Sequence, residues 1–120
     1  MENYDMLREM FNKSPIGTLF YDKNGSLIDL NPAILQIVGL KEKEELQSLN
    51  IFDNPYLAPL KEKLLTEGTL KFQSPIDFEN IRKMGFYNSS RTGVGYLDYV
   101  ITVTDFGYLM QIQDITESTK

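Results

Sequence analysis

The sequence predicts an α+β domain built around an antiparallel sheet. Two observations carry that reading. Strand-like runs gather toward both ends of the chain, with a helical middle between them. Tight turn signals at Asp22–Gly25 and Asp105–Gly107, not helical crossovers, join neighbouring strands, which is how antiparallel strands connect. A doubly wound parallel sheet would alternate strand and helix throughout. The 120 residues suffice for one domain, and 42% hydrophobic with 24% charged residues is an ordinary soluble composition.

Each element has a local reason. Tyr4, Leu7 and Phe11 fall at helical spacing beside Met6 and Met10, so an amphipathic helix is predicted ahead of Ser14-Pro15. "PIGTLFYD" predicts a strand from Ile16 to Asp22, and Asn24-Gly25 in "DKNG" is a hairpin signal. "SLIDLN", Ser26 to Asn31, is the partner strand. Asn31-Pro32 reads as a helix start, with Asn31 as the N-cap and Pro32 at the first helical position. Ile34, Ile37 and Val38 share one side of that helix, and Gly39 stops it. "KEKEELQSL" predicts a second short helix, and "NIFDNPYL" an irregular stretch. In "YLAPLKEKLLTEG", Leu57, Leu60, Leu64 and Leu65 form the apolar stripe of a helix that Gly68 ends. Thr69 to Phe78 reads as a strand that Pro75 either interrupts or confines to an edge. Glu79 to Met84 predicts a helical turn, followed by a loop. "GYLDYVITVT" places Leu97, Tyr99, Ile101 and Val103 on one face of a strand, and Tyr108 to Ile115 is the last strand.

Composition excludes whole classes of chemistry. Cysteine and histidine are both absent, so disulfides, thiolate chemistry and a Ser-His-Asp triad are ruled out in this segment. Zinc, iron–sulfur and His-ligated haem sites lose their usual ligands. The net charge of −5, with no cluster of Lys or Arg, disfavours nucleic acid or an anionic bilayer as partner. "MENYDMLREMF" has neither the apolar core nor the cleavage site of a signal peptide, and no stretch has the length of a membrane span. The cytoplasm is the expected location. "DKNGS" has its Gly fourth, not sixth, which argues against a calcium loop, and no two carboxylates have a spacing that marks an acid/base pair.

Two stretches, "SPIGTLFYDKNGSLIDLNPAILQIVGL" (Ser14 to Leu40) and "GYLDYVITVTDFGYLMQIQDITESTK" (Gly95 to Lys120), resemble the PAS domain. The first is similar to that family's opening hairpin, Asn and first helix, the second to its last two strands and Asp-Ile-Thr ending. The element order agrees over nearly all of the chain, apart from Ile81 to Gly93, which looks like an insertion. The resemblance implies a PAS-like five-stranded antiparallel sheet with short helices packed on one face. It implies a sensor or interaction module of a multidomain signalling protein, commonly a prokaryotic sensor histidine kinase of a two-component system. On this reading residues 1–13 are an N-terminal amphipathic helix, 14–116 the sensor domain and 117–120 the start of an output linker.

The resemblance also implies roles for residues. Asp114, Ile115 and Thr116 become the signal output, a hinge toward a following helix and a downstream transmitter domain. Leu30, Ile34, Ile37, Val38, Leu60, Leu64, Phe72, Tyr99, Ile101, Met110 and Ile112 become candidates to line a ligand pocket, although periodicity alone reads them as core. Haem through His and Cys-adduct flavin are excluded by composition, so a small apolar ligand, or none, is expected. "NSSRTGVG", Asn88 to Gly95, is a possible anion nest beside Arg91, but a turn-rich loop is the better reading. Tyr4, Leu7, Met10 and Phe11, with Val100 and Leu109 on the outer sheet face, are candidates for a homodimer contact. No catalysis is expected. The alternatives are a passive dimerisation scaffold, or a small α+β enzyme using a buried carboxylate.

Overall fold

A computed structural model describes residues 2–46, 50–53 and 57–116, with the side chains of residues 2–4 left undescribed. Helix α1 spans Glu2–Lys13. Strands β1 (Gly17–Asp22) and β2 (Leu27–Leu30) form the first hairpin. Helix α2 (Pro32–Val38) follows. Single 3₁₀ turns at Lys43–Glu45, Ile51–Asp53 and Ala58–Leu60 lead into α3 (Lys61–Glu67). The chain continues through β3 (Thr69–Asp77), α4 (Phe78–Lys83), β4 (Val94–Thr104) and β5 (Gly107–Asp114). The predicted second helix is only the 3₁₀ turn at Lys43–Glu45, and Gln47 to Leu49 lie outside the described residues.

The five strands form one antiparallel sheet in the order β2-β1-β5-β4-β3. The last strand of the sequence is therefore the central one, paired with β1 on one side and β4 on the other. Pro75 does not interrupt β3. It pairs opposite Tyr96, and β3 is an edge strand, where a missing N–H costs no ladder bond. The hairpin into β5 is set by Thr104, whose Oγ1 accepts from the amides of Phe106 and Gly107, each at 3.1 Å. Gly107 has φ 151°, and a Cβ there would stand 1.9 Å from the carbonyl oxygen of Tyr21, so only glycine lets β5 lie against β1.

One sheet face carries the core. Leu19, Leu97, Tyr99, Ile101, Met110 and Ile112 meet Ile34, Ile37 and Val38 of α2, Leu64 of α3, and Phe78 and Ile81 of α4. The apolar stripe of α3 is narrower than its leucines suggest, because Leu65 is 51% exposed. The opposite face meets α1 at the β1 end, where Phe11 stacks on Phe20 with ring centroids 5.2 Å apart and Arg8 pairs with Asp29 at 3.1 Å. Among the described residues no helix is long and apolar enough to cross a membrane.

Asn31 departs from its predicted role. It sits at the N-cap position of α2, but its side chain makes no capping bond. It is instead fully buried, accepts from the Thr18 amide at 2.9 Å, and donates to the carbonyls of Phe11 (3.0 Å) and Ile16 (2.9 Å). A side chain aimed back at β1 and the end of α1 cannot also reach the first turn of its own helix.

Candidate functional site

Between the sheet and α2 with the 3₁₀ turns lies a cavity of about 60 Å³. Leu19 and Tyr21 of β1, Ile34 and Val38 of α2, Leu97 and Tyr99 of β4, and Met110 and Ile112 of β5 form opposite walls. Leu27, Leu46, Asn50, Ile51, Leu57, Ile76, Ile81, Phe86 and Tyr87 complete the described lining. The space is several times the roughly 10–15 Å³ one water needs, and under half the roughly 150 Å³ of an apolar cavity that admits benzene.

Of the predicted pocket residues, Ile34, Val38, Tyr99, Met110 and Ile112 line this cavity. Leu60, Leu64 and Ile101 do not. They pack with Phe52, Leu57 and Leu70 in a neighbouring cluster that leaves no water-sized space. Leu30 and Ile37 are buried in the core off the cavity, and Phe72 stacks on Tyr99 with centroids 4.8 Å apart. Sequence reasoning missed Leu19, Tyr21 and Leu97. The alternation of "GTLFYD" puts Leu19 and Tyr21 on one face, and that of "GYLDYVITVT" puts Leu97 on the face of Tyr99, so a signal for all three was present.

Four described lining residues carry polar side-chain atoms: Tyr21, Asn50, Tyr87 and Tyr99. Burial, with the neighbouring Tyr99 phenol, pushes the Tyr21 hydroxyl well above the ordinary tyrosine range, so it is a neutral donor and acceptor. Asn50 spends its amide elsewhere, donating to the Asn24 carbonyl at 2.7 Å and accepting from the Phe52 amide at 3.0 Å. No Asp, Glu, Lys or Arg is among the described lining residues. The carboxylate that an enzymatic reading requires is thus not found there.

The loop from Asn88 to Gly95 joins the cavity wall to the end of β5. Ser89 Oγ donates to the Val38 carbonyl at 2.6 Å, and the Ser90 amide and hydroxyl both donate to the Gly39 carbonyl, at 2.7 and 2.9 Å. These bonds satisfy carbonyls that the C-terminus of α2 leaves without helical partners. Gly39 takes φ 78° there, and a Cβ would stand 2.5 Å from Ser89 Oγ. Arg91 donates from one nitrogen to the Ile37 carbonyl at 2.8 Å and to Asp114 Oδ2 at 2.8 Å, with its guanidinium 4.4 Å from the Phe78 ring centroid. Arg82 in turn holds the carbonyls of Ser89 and Arg91. Ser89, Ser90 and the guanidinium of Arg91 are therefore engaged within the fold, in keeping with a structural loop.

At the predicted output segment, Asp114 accepts from the hydroxyl and the amide of Thr116 as well as from Arg91. Thr116 Oγ1 accepts from the Tyr96 amide at 3.1 Å, and the Ile115 amide donates to the Tyr96 carbonyl at 2.9 Å. Partial burial pushes the Asp114 carboxyl up, but Thr116 and Arg91 outweigh it and hold the group below the ordinary carboxylate range. A depressed folded-state value makes the contribution of this contact complete above the unfolded value of about 3.8. It is lost as the pH falls through the lower folded value. Residues 117–120, the predicted linker, lie outside the described residues.

Of the predicted dimer residues, Leu7 and Met10 are each 62% exposed, while Phe11 is half-buried on Phe20. Val100 and Leu109 are half-buried on the outer face. The side chain of Tyr4 lies outside what is described.

A family model for the PAS domain matches residues 5–70, more than half of the chain. The chain belongs to the PAS domain family. The same fold is seen in a PAS domain of a two-component sensor histidine kinase (13% identity, TM-score 0.68, 94% of this chain and 96% of that one). It is seen again in a domain of a sensory box sensor histidine kinase/response regulator from Geobacter sulfurreducens (16% identity, TM-score 0.66, 92% and 91%). A third example is the PAS domain, in complex with ethanol, of a LuxR-family transcriptional regulator from Burkholderia thailandensis (11% identity, TM-score 0.63, 90% and 96%). No curated protein matches the chain in sequence. The domain is thus a PAS sensory module, and its five-stranded antiparallel sheet with short helices is the PAS fold.

Proposed function

We propose that this PAS domain senses a small ligand, or a change in interior packing, and passes it to a downstream transmitter domain of a cytoplasmic signalling protein of the histidine-kinase type. One observation carries the reading: Arg91 bonds at once to the Ile37 carbonyl, on the helix that walls the cavity, and to Asp114, at the end of the central strand. A shift of α2 caused by filling the cavity would change the seat of Arg91, and with it the hold on Asp114, Ile115 and Thr116. Kinase-borne PAS domains of the same fold support the transmitter as partner, and the ethanol complex of a distant relative supports a ligand of a few atoms. Occupancy drives such a switch only if the ligand binds one arrangement better than the other.

The test uses xenon as a small apolar probe and amide NMR as the readout. Xenon is expected to shift the amides of Ile34 to Val38 and also those of Ile115 and Thr116. In Arg91→Ala the first set should still respond and the second should fall silent. Shifts confined to the cavity in the unaltered protein would overturn the coupling. The scaffold reading is kept because Leu7 and Met10 are exposed on an amphipathic helix, a surface suited to a second copy in a homodimer. It predicts a dimer whose output segment never responds to the probe.

A further inference from the structure

Among the described lining residues, Tyr21 has a hydroxyl for which the fold supplies no hydrogen-bond partner. Its phenol lines the cavity, and among the described residues no donor or acceptor meets its oxygen. No fully enclosed side-chain nitrogen or oxygen of the described structure lacks a partner. Tyr21 is partly buried, so its oxygen is not sealed from water, and the residue lines the cavity. A ligand that displaces water from this hydroxyl without giving it a partner costs free energy. The site is completed by whatever brings an oxygen to that point. The rest of the wall decides the remaining chemistry. Leu19, Ile34, Val38 and Met110 offer only apolar contact, and no charged group among the described lining residues could neutralise an ion.

We propose that Tyr21 reads the ligand of this cavity, and that the ligand is an uncharged molecule of a few non-hydrogen atoms carrying one carbonyl or hydroxyl oxygen. This rests on the ligand-sensing reading above and narrows it. The apolar part of such a molecule fills the space between α2 and β5, while its oxygen meets the phenol. An apolar molecule of the same shape leaves the hydroxyl unpaired. Water alone satisfies the hydroxyl and leaves the apolar wall wet.

Acetone and isobutene test this, because they share shape and the number of non-hydrogen atoms and differ in the oxygen. Both are titrated into the unaltered protein and into Tyr21→Phe, with amide NMR giving the affinities. The preference for acetone over isobutene is expected to fall by about tenfold in Tyr21→Phe, the loss of one hydrogen bond, while isobutene binds within about twofold of before. Should Tyr21→Phe fail to fold, the Tyr21 ring resonances of the unaltered protein serve instead, moving with acetone and not with isobutene. An unchanged preference, or an unmoved Tyr21 ring, overturns the role of Tyr21 but spares the sensing reading if either probe enters. If neither probe enters the unaltered protein, the role of Tyr21 and the sensing of a small ligand both fall.

Discussion

Asn31 has no solvent exposure, and all three of its side-chain bonds go to backbone groups from outside α2. It fastens the end of α1, the approach to β1 and the start of α2 to one another. Its replacement separates two accounts by size. Loss of an ordinary N-cap costs about 1 kcal/mol. Asn31→Ala instead takes a partner from the Thr18 amide and the Phe11 carbonyl and leaves the Ile16 carbonyl only the Thr18 hydroxyl, so a loss of roughly 3 kcal/mol is expected in urea unfolding. A loss near the capping value would return Asn31 to its predicted role. The helix start was legible in Asn31-Pro32, because Pro32 fixes its own backbone angle locally. The aim of the Asn31 side chain was not legible, since the groups it satisfies belong to Phe11, Ile16 and Thr18 and meet it only in the folded chain.

Among the elements, β5 has the tightest constraint. Its first residue, Gly107, stands opposite both Asp22 and Thr104, and a methyl group there would collide with the Tyr21 backbone. Gly107→Ala is expected to cost at least about 3 kcal/mol, since backbone must move on two strands at once. Thermal unfolding checks it, and a shift within error would mean that the β1–β5 contact can relax. The alternation of "GYLDYVITVT" and "GYLMQIQD" made both long strands readable. Nothing local told that the second inserts between β1 and the first, because strand order is decided by which faces the helices cover. Ile81 to Gly93 was the least readable stretch for a related reason. It has little periodicity of its own and takes its course from bonds to the end of α2.

At the scale of the whole molecule, the exposed side of α1 sets the expected behaviour in solution. If a second copy covers Leu7 and Met10, the purified domain sediments as a dimer, and the double substitution Leu7→Lys with Met10→Lys leaves a monomer that still folds. Analytical ultracentrifugation decides it, and a monomer before substitution removes the dimer contact. The antiparallel sheet and the helical layer on its core face followed from patterning. The cavity did not, because apolar periodicity marks a residue as inward-facing without saying whether its neighbours fill the space. Ile34 and Ile37 illustrate this: both face inward from one helix, yet only Ile34 borders the void.

The middle position of β5 has a mechanical side. A tug on Thr116 along the strand would not peel one ribbon from a hem. It would load two ladders in shear together, while the Arg91–Asp114 contact braces the same end against α2. Drawn from that end, the domain should hold as a stiff anchor until both seams give way in a single step.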